Sequence, residues 1–151
     1  MFSLFSRKKK FFTPEEAQLI VTAIKNAERC TSGEVRVFVE NRCSYMDALD
    51  RAIELFAKMG MQATKERNGV LVYVAVKDHQ LAVFGDEGIH QKVGPDYWNT
   101  EVIKMIRDFN RDNYALGIAG CIEDIGQALQ EHFPYTDKDT NELSDDIHFG
   151  R

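Results

Sequence analysis

No apolar run in this 151-residue sequence approaches the roughly 18 residues needed to cross a bilayer as a helix, so no membrane span is expected. An excess of basic charge is also missing. The formal net charge is −5, whereas a nucleic-acid phosphate backbone needs a basic face to hold it, so nucleic acid is not expected as a partner. Cysteine is scarce: Cys30, Cys43 and Cys121 are odd in number and lack C-x-x-C spacing. That pattern points to reduced thiols and a cytoplasmic location rather than a disulfide framework. There is no internal repeat. A secretory leader is not expected either, because Arg7-Lys8-Lys9-Lys10 follows a very short apolar stretch instead of preceding a long one.

What is present suits one globular domain. The length is enough to bury a core, and 44% apolar with 28% charged residues lies near globular averages. Three parts are expected: a flexible basic segment over residues 1–12, a folded domain over 13–134, and an acidic flexible tail over 135–151. Within the first part, Phe2, Leu4 and Phe5 beside the basic run also suit weak peripheral contact with an anionic membrane surface.

Thr13-Pro14-Glu15-Glu16 reads as a helix start, with an N-cap threonine, a proline at the first helical position and a capping-box glutamate. Ala17, Ile20, Val21, Ile24 and Ala27 follow at helical spacing until Ser32-Gly33 interrupts. Val35, Val37 and Val39 then alternate with polar residues as a strand does. A helix is expected from Met46 to Met59, with Leu49, Ile53 and Phe56 on one face. The nearly continuous apolar run Val70–Val76 reads as a strand covered on both faces, and Gln80–Phe84 as its hairpin partner. Two helices follow. One carries Trp98, Val102, Met105, Ile106 and Phe109; the other carries Tyr114, Ile118, Cys121, Ile122, Ile125 and Leu129. Gly117, Gly120 and Gly126 cost the latter helix stability, which suggests close packing against a neighbour. The order predicts an α/β fold, a small mixed parallel and antiparallel sheet with helices against its faces.

That topology brings distant residues to one rim. Parallel first and second strands start Glu34 and Gly69 at the same end, and an antiparallel third strand returns Gly85-Asp86-Glu87-Gly88 to it. Ser32, Glu34, Arg67, Asn68, Asp86 and Glu87 should then gather. Glu34, Asn68, Asp86 and Glu87 are hard oxygen donors suited to a divalent cation, calcium first and magnesium second, with Arg67 a candidate anion-binding group. Two plainer readings stand beside this one. Asp86-Glu87 caps the helix that starts near Ile89, or Arg67 pairs with Glu34 or Asp86 in a structural salt bridge.

Several motif matches fail on context. Cys30 and Arg36 have the C-x5-R spacing of cysteine phosphatases, but the cysteine ends a helix and the arginine lies inside a strand. Asp137, Asp139 and Asn141 match the opening of an EF-hand loop, yet Glu142 stands at its glycine position and His148 at its bidentate glutamate. His79, His90, His132 and His148 have no paired metal spacing. Gly85-Asp86-Glu87-Gly88 is too short and too acidic to grip a phosphate.

The stretch Arg67-Asn68-Gly69-Val70-Leu71-Val72-Tyr73-Val74-Ala75-Val76 resembles the central strand of TPM domains. Gly85-Asp86-Glu87-Gly88-Ile89 is similar to that family's glycine-containing turn, and Asn113-Tyr114-Ala115-Leu116-Gly117-Ile118 to the start of its late helix. The similarity runs roughly from Thr13 to Phe133. It implies a three-layer α/β/α sandwich with an acidic cleft, divalent-cation binding, and for some members acid phosphatase activity or service to membrane complexes. This chain departs from the pattern in placing Asp86-Glu87 between the glycines and His90, Gln91 and Lys92 where further acids are usual. Three functions are therefore weighed: a cation-binding interaction or accessory module with a protein partner, a metal-assisted acid phosphatase acting on phosphate monoesters, and a membrane-surface adaptor using residues 1–10.

Overall fold

The computed structural model describes residues 11–134 and 147–150. The capping box forms as expected: Thr13 Oγ1 accepts the Glu16 N–H at 3.1 Å, and Glu16 Oε1 accepts the Thr13 N–H at 2.8 Å. Helix α1 (Pro14–Glu28) leads to strand β1 (Glu34–Glu40), α2 (Ala48–Lys58), β2 (Gly69–Ala75) and β3 (Gln80–Gly85). Helices α3 (Glu87–Val93), α4 (Pro95–Phe109) and α5 (Tyr114–His132) follow, and β4 (Ile147–Phe149) comes last.

The sheet runs β3-β2-β1-β4. β1 lies parallel to β2 and to β4, while β2 and β3 are antiparallel. Alternation divides the strand residues between two cores. Val35, Val37, Val39, Val70, Val72 and Val74 meet α1, α4 and α5 on one face. Leu71, Tyr73, Ala75 and Ala82 meet Ala52, Leu55 and Phe56 of α2 on the other. The result is the three-layer α/β/α arrangement, and every residue of β2 is buried, as its unbroken apolar run requires.

Four expectations need correction. The acidic tail is not featureless: Ile147–Phe149 pairs with Val37–Val39, because its alternating apolar residues complete an edge that β1 would otherwise expose. The N-terminal segment ends sooner than residue 12, since Phe12 is buried and its ring lies 6.3 Å from that of Phe149. Residues 1–10, with the basic run, lie outside the described residues, as do residues 135–146 with the EF-hand-like acids. Leu49 and Ile53 of α2 do not enter the core; Ala48, Ala52, Leu55 and Phe56 do, and Leu49 and Ile53 are 48% and 42% exposed. Finally, close packing accounts for Gly126, where a Cβ would stand 2.7 Å from Ala27 of α1, but not for Gly120, which has open space.

Candidate functional site

The predicted strand directions are the observed ones. Glu34 pairs with Gly69, and Val70 with Gly85, so the starts of β1 and β2 and the end of β3 share a rim. Two backbone hydrogen bonds close it: the Asp86 N–H donates to Gly69 O at 2.9 Å, and the Gly88 N–H to Arg67 O at 2.8 Å. Gly88 permits this approach, because a Cβ there would overlap the carbonyl oxygen of Glu66 and stand 2.7 Å from that of Arg67. Gly85 is required for a similar reason, with the Trp98 ring lying where its Cβ would be.

Arg67 leaves this turn with a φ of +53°, in the left-handed region, and its side chain spans the rim. Nε donates to Asp86 Oδ2 at 2.6 Å and Nη2 to Asp86 Oδ1 at 2.9 Å, a bidentate pair, while Nη1 reaches Glu87 Oε1 at 3.4 Å. The hydrogen bond and charge of Asp86 hold the Arg67 guanidinium above its ordinary value. Asp86 Oδ1 also accepts the Glu87 N–H at 2.8 Å, making Asp86 the N-cap of α3. Both plainer sequence readings are thus realised at Asp86: it caps a helix and it pairs with Arg67.

A second chain of polar contacts lies beside the first. Ser32 Oγ donates to Glu66 Oε2 at 2.7 Å and accepts from Asn68 Nδ2 at 3.1 Å. The Asn68 N–H donates to Thr64 Oγ1 at 3.2 Å. Asn68 is 1% exposed, and its Oδ1 has no hydrogen-bond partner. Glu34, buried at the start of β1, shares a face with Arg36. Burial pushes the Arg36 guanidinium down from its ordinary value, and the charges of Glu34 and Glu28 push it back up.

The structure therefore unites Arg67, Asp86 and Glu87 in one ion cluster and joins Ser32 to Asn68. It adds Glu66 and Thr64, two polar side chains in a loop that sequence pattern leaves anonymous. Among the described residues no group of three or more His, Cys, Asp or Glu is arranged to hold a metal ion. Asp86 has both oxygens on Arg67, whereas the buried Asn68 amide oxygen at this rim has no hydrogen-bond partner.

A further polar cluster lies between α4 and α5, around a cavity of about 450 Å³. Glu101 is 2% exposed on the core-facing side of α4, with Lys104 Nζ 3.6 Å from its Oε2 and 3.0 Å from Asp124 Oδ2. Burial first, then the hydrogen bond and charge of Asp124, push the Glu101 carboxyl up to about 7. Its signal in the sequence is an acid placed between Trp98 and Met105 on an apolar stripe. His90 Nδ1 accepts the Trp98 indole N–H at 2.9 Å.

No curated protein matches this chain. Among solved structures, the BA42 protein of the psychrophilic bacterium Bizionia argentinensis is similar, with 41% identity over 93% of this chain and 96% of that one, and a TM-score of 0.84. The N-terminal domain of a P. gingivalis protein (18% identity, 83% and 82% covered, TM-score 0.68) shares the fold. So does that of the cg2496 protein of Corynebacterium glutamicum (10%, 88% and 82%, 0.65). The family model of the TPM domain matches residues 6–128. With the strand, turn and late helix that resemble this family now in their expected places, the chain belongs to the TPM domain family.

Proposed function

We propose that this chain is a non-catalytic accessory or interaction module that takes a divalent cation, calcium before magnesium, at the rim of Glu34, Asn68, Asp86 and Glu87. The buried Asn68 amide oxygen carries the reading. An unsatisfied buried acceptor costs about 1–3 kcal/mol, and a hard cation is one partner that recovers it. Asp86 and Glu87 supply adjacent negative charge, with Arg67 as the internal competitor for it. Because the Arg67 side chain is 43% exposed, it has room to move out into water when a cation takes its place.

The alternative, hydrolysis of phosphate monoesters, needs a cationic group free to meet a phosphoryl oxygen. Arg67 instead donates through Nε, Nη1 and Nη2 to Asp86 and Glu87. A phosphoryl oxygen would compete with both carboxylates for it, and the accessory module needs no such second ligand at this rim.

Titrating calcium into the full chain, observed through its amide and Arg67 side-chain NMR signals, tests the proposal. Shifts centred on Asn68, Asp86 and Glu87 are expected, together with release of the Arg67 Nε–H. Arg67→Gln should bind calcium more tightly and Asp86→Asn more weakly. Absence of shifts at this rim at millimolar calcium would end the cation reading.

A further inference from the structure

The sheet order leaves β3 on an edge, with β2 on one side. Among the described residues no other hydrogen bond reaches the backbone of Leu81, Ala82, Val83 or Phe84. A free strand edge presents a row of N–H and C=O groups that another strand can pair with. In this protein the edge is also the floor of a cleft of about 730 Å³. Leu49 and Ile53 of α2 form one wall, and Trp98 and Val102 of α4 the other. Leu49 and Ile53 are large apolar side chains facing water, and they line this cleft instead of the core.

The chemistry of an occupant follows from these walls. Leu81 and Val83 join the core on the α4 side, whereas Ala82 and Phe84 join the α2 side. A strand added beside them alternates in the same way, so its side chains meet Trp98 and Val102 on one face and Leu49 and Ile53 on the other. It must be apolar on both faces. At the Gly85 end the cleft is lined by Asp86 and Glu87, whose two negative charges outweigh the single positive charge of Arg67. The Glu87 side chain is 65% exposed and available to a basic group.

We infer that the free edge of β3 receives, as an added strand, an extended apolar segment of a partner protein that carries a Lys or Arg where it passes Glu87. Backbone pairing supplies the affinity, and the two apolar walls with the acidic end supply the selectivity. This inference rests on the accessory-module reading and gives it a partner class. It is independent of the cation, so the test is run in EDTA.

The probe is a short capped peptide of Val and Ile with a lysine at each end. Its control has the same composition, except that proline replaces alternate residues, so it stays apolar but cannot pair along a strand. Both are titrated into the full chain while the fluorescence of Trp98, the single tryptophan, and amide hydrogen exchange along β3 are followed. The Val/Ile peptide should shift the Trp98 emission and protect the outward-facing amides of Leu81 and Val83, those of Ala82 and Phe84 being turned to β2 already, and the proline control should do neither. The surface changes Leu49→Lys and Ile53→Lys should each weaken the peptide about tenfold, roughly 1.4 kcal/mol, without unfolding the protein. Glu87→Gln should weaken it less, and more at low salt. Equal binding of the two peptides, or binding without protection of β3, would overturn the inference. So would Leu81 and Val83 amides already protected in the free protein, either at all concentrations (an edge covered by the chain's own remaining residues) or only at high concentration (an edge covered by a second copy). Failure of calcium binding with success of the peptide would sink the cation reading alone.

Discussion

At the scale of single residues, two helical glycines do different work, and the difference lies in what stands beside each one. Gly88 sits where the α3 turn folds back on the Arg67 backbone, and the atoms a Cβ would meet are carbonyl oxygens that cannot rotate away. Gly88→Ala should therefore cost about 2–3 kcal/mol and lower the urea midpoint without changing the slope of the transition. Gly120 is a helical glycine with no atom within 4 Å of its virtual Cβ. Gly120→Ala should raise stability by about 0.5–1 kcal/mol in the same experiment. Similar values for the two substitutions would show that the close approach at Gly88 is not maintained in solution.

At the scale of elements, a buried ion pair ties α2 to the sheet where apolar packing ends. Arg51 of α2 donates to Glu40 of β1 through Nε at 2.9 Å and Nη2 at 3.2 Å, and the Tyr73 hydroxyl of β2 donates to the same carboxylate at 2.5 Å. Glu40 is 5% exposed. Its hydrogen bond and charge hold the Arg51 guanidinium above its ordinary value against desolvation, while burial, followed by the Glu40 bond, pushes the Tyr73 phenol upward. Arg51→Met leaves a buried carboxylate with one neutral donor, and should cost roughly 2–3 kcal/mol in thermal unfolding. Adding Glu40→Gln should recover a large part of that loss, because the uncompensated charge disappears. If the double variant is as unstable as the sum of the single changes, Arg51 acts through packing rather than through charge.

At the scale of the whole molecule, the acid buried between α4 and α5 makes stability depend on pH. Glu101 titrates near 4.5 when unfolded and at about 7 when folded. Between those values the folded state binds more protons than the unfolded state, so stability falls as pH rises from about 4.5 to 7 and then levels off. Tyr97, Cys121 and Asp124 face this carboxyl, with Lys104 partly offsetting the negative charge. The loss should be on the order of 3 kcal/mol, and Glu101→Gln should largely abolish it. Chemical denaturation at a series of pH values provides the check. A wild-type profile that rises over this window would contradict the assignment.

Local and short-range pattern was enough for most of the architecture. The Thr13–Glu16 capping box, the alternation of Val35, Val37 and Val39 and the unbroken apolar run of β2 each name an element whose nearest neighbours in sequence dictate it. Strand direction followed from connection length, and with it the rim where Arg67, Asn68, Asp86 and Glu87 meet. What tertiary structure alone decided are choices among partners far apart in the chain. Ile147–Phe149 becomes a strand only because β1 has a free edge, and Glu66 enters the rim only because Ser32 lies across from it. Arg67 takes Asp86, and the side-chain amide oxygen of Asn68 is left without a hydrogen bond. Leu49 and Ile53, apolar residues at helical spacing, line a cleft because α2 turns Ala48, Ala52, Leu55 and Phe56 to the sheet instead. Periodicity reports which face of an element is apolar. Which surface covers that face is decided by packing between distant segments, and this sequence does not encode it locally.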